Sequence, residues 1–210
     1  MIKVIIADDH ELMREGIKKI LRRERDVRVI GEAANVDELL QLAGTRDADV
    51  LILDINFPIR SGLDALVELR RVRRDLPVVM LSMYREDRFA LRAFKAGAAA
   101  YVNKASAADD LVMAIRKVVK DGRYISPVVA DLLARELVDP TGALPHEKLS
   151  PRESQILSLI GHGKSTKLIA SELSISVNTV NTYRARILEK MAMHANSELI
   201  RYAIEHGLTE

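Results

Sequence analysis

Five short apolar runs punctuate the first 120 residues: KVIIAD at 3–8, VRVIGEA at 27–33, DVLILD at 49–54, PVVMLS at 77–82 and AAYVNK at 99–104. Four of them are near-continuous in Val, Ile, Leu, Met and Ala, the pattern of parallel strands covered on both faces; the run at 27–33 alternates, as an edge strand does. Between and after them lie stretches of helical spacing, ELMREGIKKILRR (11–23), VDELLQLAG (36–44), GLDALVELRRV (62–72), DRFALRAFKAG (87–97) and ADDLVMAIRKVVKDG (108–122). Gly44, Gly97 and Gly122 fall where helix C-caps are expected. Strand followed by helix, five times over, predicts a doubly wound α/β domain with a five-stranded parallel sheet and right-handed crossovers.

The rhythm changes after Gly122. SPVVADLLARELVD (126–139) offers a serine N-cap, proline at the first helical position and helical spacing. Pro140, Gly142 and Pro145 then mark an exposed linker. No strand pattern follows. Residues 149–210 read as four helices starting near Ser150-Pro151, Ser165-Thr166, Ser176-Val177 and Asn196-Ser197. The expected division is a first domain at 1–121, a linker with one short helix at 122–147 and an all-α domain at 148–210.

In a parallel α/β sheet, ligands bind beyond the carboxyl ends of the strands. Those ends carry Asp8 and Asp9 after the first strand, Asp54 after the third, Ser82 after the fourth and Lys104 after the fifth. Three carboxylates converging on one crevice repel unless a cation sits among them. A hard divalent ion such as Mg²⁺ suits a site of few carboxylates with room for water. With that ion present an anion can approach, and Lys104 and Ser82 would clamp its remaining oxygens. The anion that fits this set is a phosphoryl group, with Asp54 as nucleophile forming an aspartyl phosphate. Polar residues at strand ends are common one by one; it is their joint placement that points to chemistry.

These same residues resemble the receiver domain of bacterial two-component response regulators, a flavodoxin-like fold. The likeness covers about residues 1–121 and rests on the acid pair at 8–9, LD at 53–54 followed by Pro58 and Gly62, the hydroxyl at 82 and the lysine at 104. It implies phosphorylation of Asp54 by a sensor histidine kinase. It further implies Mg²⁺ held by Asp9, Asp54 and the backbone carbonyl of Asn56, with Asp8 reaching the ion mostly through water. Ser82 and Tyr101 would be the switch pair, Tyr101 turning inward when the phosphoryl group arrives. Two positions depart from the pattern. Phe57 replaces a frequent methionine, and Ala105 follows the lysine where proline is usual, which leaves the Lys104–Ala105 bond either strained or trans.

In the helical tail, STKLIASELSISVNTVNTYRARILEKM fits a helix-turn-helix, with small Ala170, apolar Leu173 and Ile175 and a short SISV turn. Val180, Ile187, Leu188 and Met191 mark the expected buried stripe of the second helix. Its other face, Asn178, Asn181, Thr182 and Ala185, is small and polar, as entry into a major groove requires; Asn can pair with adenine, and methyl groups can meet thymine. Lys164, Lys167 and Arg184 are placed for phosphates. LSPRESQIL and GHGKSTKLIASELSISVNTVNTYRARILEKM resemble the LuxR-type helix-turn-helix over about residues 148–207, and a receiver joined to it is the NarL/FixJ architecture. TVNTYR resembles the GacA- and BvgA-like branch. Thr166, Tyr183 and Asn181 depart from residues frequent in the family, so base preference does not transfer. The resemblance implies promoter DNA as partner, symmetric dimers in the active state and RNA polymerase as a further contact. Leu199, Ile200, Ala203 and Ile204 form a stripe that serves either a dimer contact or the domain's own core.

Composition changes this picture little. The 32 basic and 30 acidic residues give a net charge of +2, and residues 164–190 hold five basic side chains against two acidic ones. The absence of cysteine excludes disulfides and thiolate metal sites. The N-terminal apolar run is too short for a signal peptide, and nothing approaches the roughly 20 apolar residues of a membrane span. A soluble, cytoplasmic protein with no membrane partner is expected. Two rivals remain: a phosphatase of the haloacid-dehalogenase type, which would want a second Asp where Asn56 stands, and a receiver whose tail binds protein rather than DNA.

Overall fold

The computed structural model describes residues 1–57, 61–83, 86–138 and 144–209, the side chains of 86–88, 106–109 and 135–138 excepted. The chain forms two compact units, Met1–Pro140 and Thr141–Glu210. Pro58 and the linker residues Pro140 and Gly142 fall outside the described residues.

The first unit has five parallel strands, β1 (Ile2–Ala7), β2 (Val27–Ala33), β3 (Val50–Asp54), β4 (Val78–Ser82) and β5 (Ala100–Asn103), in the order β2-β1-β3-β4-β5. The alternating run at 27–33 is indeed an edge. β3 and β4 are buried at every position, which is why their sequences are almost purely aliphatic. Both sheet faces are covered. Helices α1 (Glu11–Leu21) and α5 (Ala107–Asp121) cover one, where Ile17, Leu21, Leu111 and Ile115 meet Val4, Ile6, Ile52 and Leu81. Helices α2 (Val36–Thr45), α3 (Gly62–Val72) and α4 (Glu86–Lys95) cover the other, where Leu39, Leu66, Leu69 and Ala90 meet Ile5, Leu51, Leu53 and Met80.

Helix α6 (Pro127–Val138), expected in the linker, belongs to this first unit and packs against α4. Val129 is fully buried in the α2–α4 core and Leu133 lies against it. Val129 and Leu133 therefore serve the first domain's core, a tertiary fact that periodicity alone does not convey. Of the three expected glycine caps, Gly97 (φ +100°) and Gly122 (φ +82°) take left-handed backbone after their helices. Gly44 instead lies inside α2, whose end falls at Thr45.

The second unit is helical: α7 (Pro151–Gly161), α8 (Thr166–Glu172), α9 (Val177–Lys190) and α10 (Asn196–Glu205). Ser150, Ser165 and Ser176 cap the first three, each side chain accepting a backbone N–H three residues on. At α10 the cap position is Ala195, and Glu198 reaches back to accept the backbone N–H groups of His194 and Ala195. Leu149, Ile156, Leu157, Ile169, Val180, Ile187 and Leu199 make the core. No described helix in either unit is long and apolar enough to cross a membrane.

One glycine fixes how close a helix comes to the strand end. Gly62 N–H donates to Ile55 O at 2.8 Å, and a Cβ on Gly62 would lie 2.0 Å from Asp54 O and 2.8 Å from Ile55 Cα. Backbone cannot yield as a side-chain tip does. Gly62→Ala is therefore expected to cost at least the roughly 1–3 kcal/mol of an overpacked core, read as a lower urea midpoint; an unchanged midpoint would refute this close approach.

Candidate functional site

The strand ends assemble as topology demands. Asp8 follows β1, Asp54 ends β3 and Ser82 ends β4, while Lys104 opens a 3₁₀ turn (Lys104–Ser106) directly after β5. Register pairs Asp54 with Leu81 and Ser82 with Asn103, so the last residues of three adjacent strands lie side by side. Asp8, Asp54 and Ser82 are all buried. The backbone of the acidic loop is pinned: Asp8 N–H donates to Ala33 O at 3.1 Å, and Arg14 of α1 donates to Asp8 O at 2.8 Å.

Lys104 is the hub. Its ammonium donates to Asp8 Oδ2 at 2.7 Å and lies 2.9 Å from Asp54 Oδ2, with only 5% of the lysine side chain and 1% of each carboxylate exposed. Asp8 is fully occupied, because its Oδ1 accepts His10 N–H at 2.8 Å. Asp54 is not. Its Oδ1 is buried without a hydrogen-bond partner, as are Asp9 Oδ1 and Asn56 Oδ1. Burial pushes the Asp54 carboxyl up to about 7; Lys104 pulls it down and Asp8 pushes it up again. For Lys104, burial opposes the charge, yet Asp54 and Asp8 together outweigh it and hold the ammonium above its ordinary range.

One lysine thus serves two buried acids, and orphaned oxygens remain. Oxygen atoms desolvated without a partner are costly, and a hard cation removes that cost. One ligand atom each from Asp8, Asp9, His10 and Asp54 lies within 4.8 Å of the others, the spacing of a divalent-cation site. The residues present therefore fit a divalent ion. Sequence reasoning missed His10; its place directly after the two acids was the available signal. The Lys104–Ala105 bond is trans, as no cis bond occurs among the described residues, and Ala105 N–H donates to Asn103 Oδ1 at 2.7 Å. The ring of Tyr101, the aromatic member of the expected switch pair, is buried in the core shared by Phe89, Ala90 and Val129.

In the second unit, Asn178, Asn181, Thr182 and Ala185 are exposed on one face of α9, and Lys167 is exposed on α8. The opposite face buries Val180, Tyr183, Ile187 and Met191; Leu188 is only half-buried, and Tyr183 takes the core place the pattern had not given it. Lys164 and Arg184 are less available than their charges suggest. Lys164 Nζ is paired with Glu172 at 2.6 Å, and Arg184 Nη1 donates to Asn196 Oδ1 at 3.0 Å, with its Nε buried and unpartnered. The α10 stripe divides: Leu199 and Ala203 are fully buried in the domain's own core, Ile200 is half-buried and Ile204 is exposed. Arg152 of α7 donates to Leu173 O at 3.2 Å, tying α7 to the turn between α8 and α9.

The acid pocket has a thermodynamic signature. The Asp54 carboxyl ionises near 3.8 when unfolded and near 7 when folded. Between those values the unfolded chain holds fewer protons, so this group's contribution to stability falls as pH rises through the window. Without divalent ions at pH 8, Asp54→Asn is expected to melt several degrees above wild type, about 2–8 °C for each kcal/mol regained. Mg²⁺ is expected to raise the wild-type midpoint and narrow the gap. A variant that melts below wild type in metal-free buffer would contradict this account.

Comparison with known proteins agrees with both halves. The response regulator receiver domain model matches residues 4–116, and the model of the luxR family of bacterial regulatory proteins matches residues 147–203. The chain is 38% identical to the response regulator GacA of Pseudomonas aeruginosa, over 100% of this chain and 99% of that one. It is 36% identical to the response regulator UvrY of Escherichia coli, over 99% and 96%. Among solved structures, the RcsB response regulator of Salmonella typhimurium is similar at a TM-score of 0.61 and 26% identity, over 96% of this chain and 98% of that one. A complex of the two-component response regulator RcsB with DNA is similar at a TM-score of 0.58 and 26% identity, over 96% of each chain. A buried acid–lysine pocket at the ends of parallel strands, followed by a helix-turn-helix, thus has its place among known proteins: the chain belongs to the two-component response regulators of the NarL/FixJ type, a receiver domain joined to a luxR-family regulatory domain.

Proposed function

We propose that this response regulator accepts a phosphoryl group on Asp54 from a sensor histidine kinase and thereby changes its binding to promoter DNA as a homodimer. The observation that carries the reading is the divided state of the Asp54 carboxylate: Oδ2 is held by Lys104, and Oδ1 is buried and unpartnered. An oxygen kept out of water and unbonded is poised to attack phosphorus. As its bond to phosphorus forms, the phosphohistidine P–N bond breaks and the electron pair leaves with the imidazole.

Each remaining group has a task in that transfer. Asp9, Asp54 and the Asn56 carbonyl would hold Mg²⁺, with Asp8 reaching it through water; the ion supplies positive charge against the charge spread over the phosphoryl oxygens. Lys104 is already aimed at Asp54 and passes to a phosphoryl oxygen by a short movement, keeping its second bond to Asp8. Ser82, at the end of the neighbouring strand, is placed to donate its hydroxyl to another. Tyr101, whose ring is packed inward, would be the aromatic partner of Ser82 in the switch.

On DNA, the exposed α9 face of Asn178, Asn181, Thr182 and Ala185 reads bases, and Lys167 meets a phosphate. Lys164 and Arg184 orient neighbouring elements first and reach DNA only by releasing Glu172 and Asn196. The phosphatase alternative lacks its acid/base carboxylate at Asn56. The relatives GacA and UvrY carry the name response regulator, and RcsB has been seen on DNA; these support the reading.

Incubation with Mg²⁺ and a small acyl phosphate is expected to add one phosphoryl group by intact mass, and none to Asp54→Asn. Phosphorylated protein is expected to bind its operator more tightly than unphosphorylated protein. Equal affinities would overturn the coupling. Asn181→Ala is expected to weaken specific binding by about 1–3 kcal/mol. Lys167→Ala should weaken binding to all sequences and lower the salt slope by about 1, with Lys164→Ala the smaller of the two lysine effects.

A further inference from the structure

His10 sits at the N-cap of α1, a position that favours Ser, Thr, Asp or Asn because a short side chain can accept a helix N–H there. It makes no such side-chain bond. The imidazole turns instead toward the acids, with Nδ1 2.8 Å from Asp9 Oδ1 and 3.4 Å from Asp8 Oδ1. The nearer approach is not aligned as a hydrogen bond, since Asp9 Oδ1 has no hydrogen-bond partner. With 69% of the His10 side chain exposed, little packing holds the ring in place. What remains is a nitrogen and two carboxylates facing a common space.

That space has the dimensions of a coordination sphere. Around an octahedral ion with bonds of about 2.1 Å, adjacent ligands stand about 3.0 Å apart and opposite ones about 4.2 Å. One ligand atom from each of Asp8, Asp9, His10 and Asp54 lies within 4.8 Å of the others. A second observation is the state of Asp54 within this cluster: only 1% exposed, it leaves its Oδ1 buried and unpartnered.

We infer that His10 is a further protein ligand of the divalent cation, one that adds an imidazole nitrogen to an otherwise all-oxygen site. The inference rests on the proposed reading of the acid pocket and concerns which ions that pocket prefers. Magnesium gains little from a nitrogen donor, whereas first-row ions later in the Irving–Williams order gain steadily. His10 therefore tilts the site toward Co²⁺ and its neighbours relative to Mg²⁺, with no change in the carboxylates.

The chain has no tryptophan to report binding by fluorescence, so the test is spectroscopic. Full-length protein is loaded with Mn²⁺, and nitrogen coupling is read by electron spin-echo envelope modulation in wild type, His10→Ala, His10→Ser and Asp54→Asn. His10→Ser keeps a good helix cap, so loss of signal there cannot come from a frayed α1. Wild type is expected to show imidazole nitrogen coupling that both His10 variants lose. Calorimetric titration is expected to show Co²⁺ binding weakened about tenfold by His10→Ala, at the low end of losses seen when even an outer-shell partner is removed, with Mg²⁺ binding within about twofold of wild type. Mn²⁺ binding that depends on Asp54 but shows no His10-dependent nitrogen coupling would overturn the inference and leave the pocket reading standing. Mn²⁺ binding no weaker in Asp54→Asn than in wild type would overturn both.

Discussion

Two buried carboxylates share one buried ammonium, and most of the first domain is arranged around that fact. Asp8 and Asp54 come from adjacent strands, and Lys104 reaches both from the end of β5, two strands from β3. A pair so desolvated is not a strong source of stability, because removing charges from water costs about as much as their attraction returns. What it provides is a strained balance: one positive charge for two acids, with burial raising the Asp54 carboxyl and one of its oxygens unbonded. A cation or a phosphoryl group changes that balance more than any surface charge could, since little solvent is present to screen it.

The surrounding architecture keeps the imbalance from relaxing. If α3 could retreat from the strand end, water would reach Asp54; Gly62 lets the helix backbone come within hydrogen-bonding distance of Ile55, and the Ser61–Asp64 capping box holds its first turn. If the acidic loop could swing out, Asp8 would leave Lys104; Arg14 and Ala33 hold its backbone. On the α4 side, Tyr101 of β5 and Val129 of α6 belong to the same apolar core. A charge change at Asp54 acts on elements that are packed rather than loose, and packed elements switch between arrangements instead of deforming gradually.

The second domain distributes its charges with similar economy. Glu153, buried at the start of α7, accepts Ser150 N–H and meets Lys190 at the end of α9 at 2.7 Å. Arg152 ties α7 to the turn before α9, and Arg184 ties α9 to α10. Several basic residues that composition alone would assign to a nucleic-acid partner are thereby engaged in holding α9 at a fixed angle. The exposed face of Asn178, Asn181, Thr182 and Ala185 is small and neutral.

The linear sequence by itself determined the strands and helices, the edge position of β2 and the identity of the residues converging at the strand ends. Hydrophobic period and chain topology are local or nearly local properties, and in a parallel sheet they dictate where strand termini meet. Only the tertiary structure decided the rest. It placed α6 on α4, because an amphipathic helix finds its partner by fit. Tyr183 went into the core and Leu188 to its margin, a choice set by neighbouring helices. Lys164 and Arg184 turned to Glu172 and Asn196, since long side chains take the nearest acceptor rather than the one a pattern suggests. Tyr101 was sealed into the core, and His10 was turned from helix cap toward the acids. A sequence shows which groups are present; which of them share a desolvated space, and which remain unpartnered there, depends on distances that only the folded chain sets.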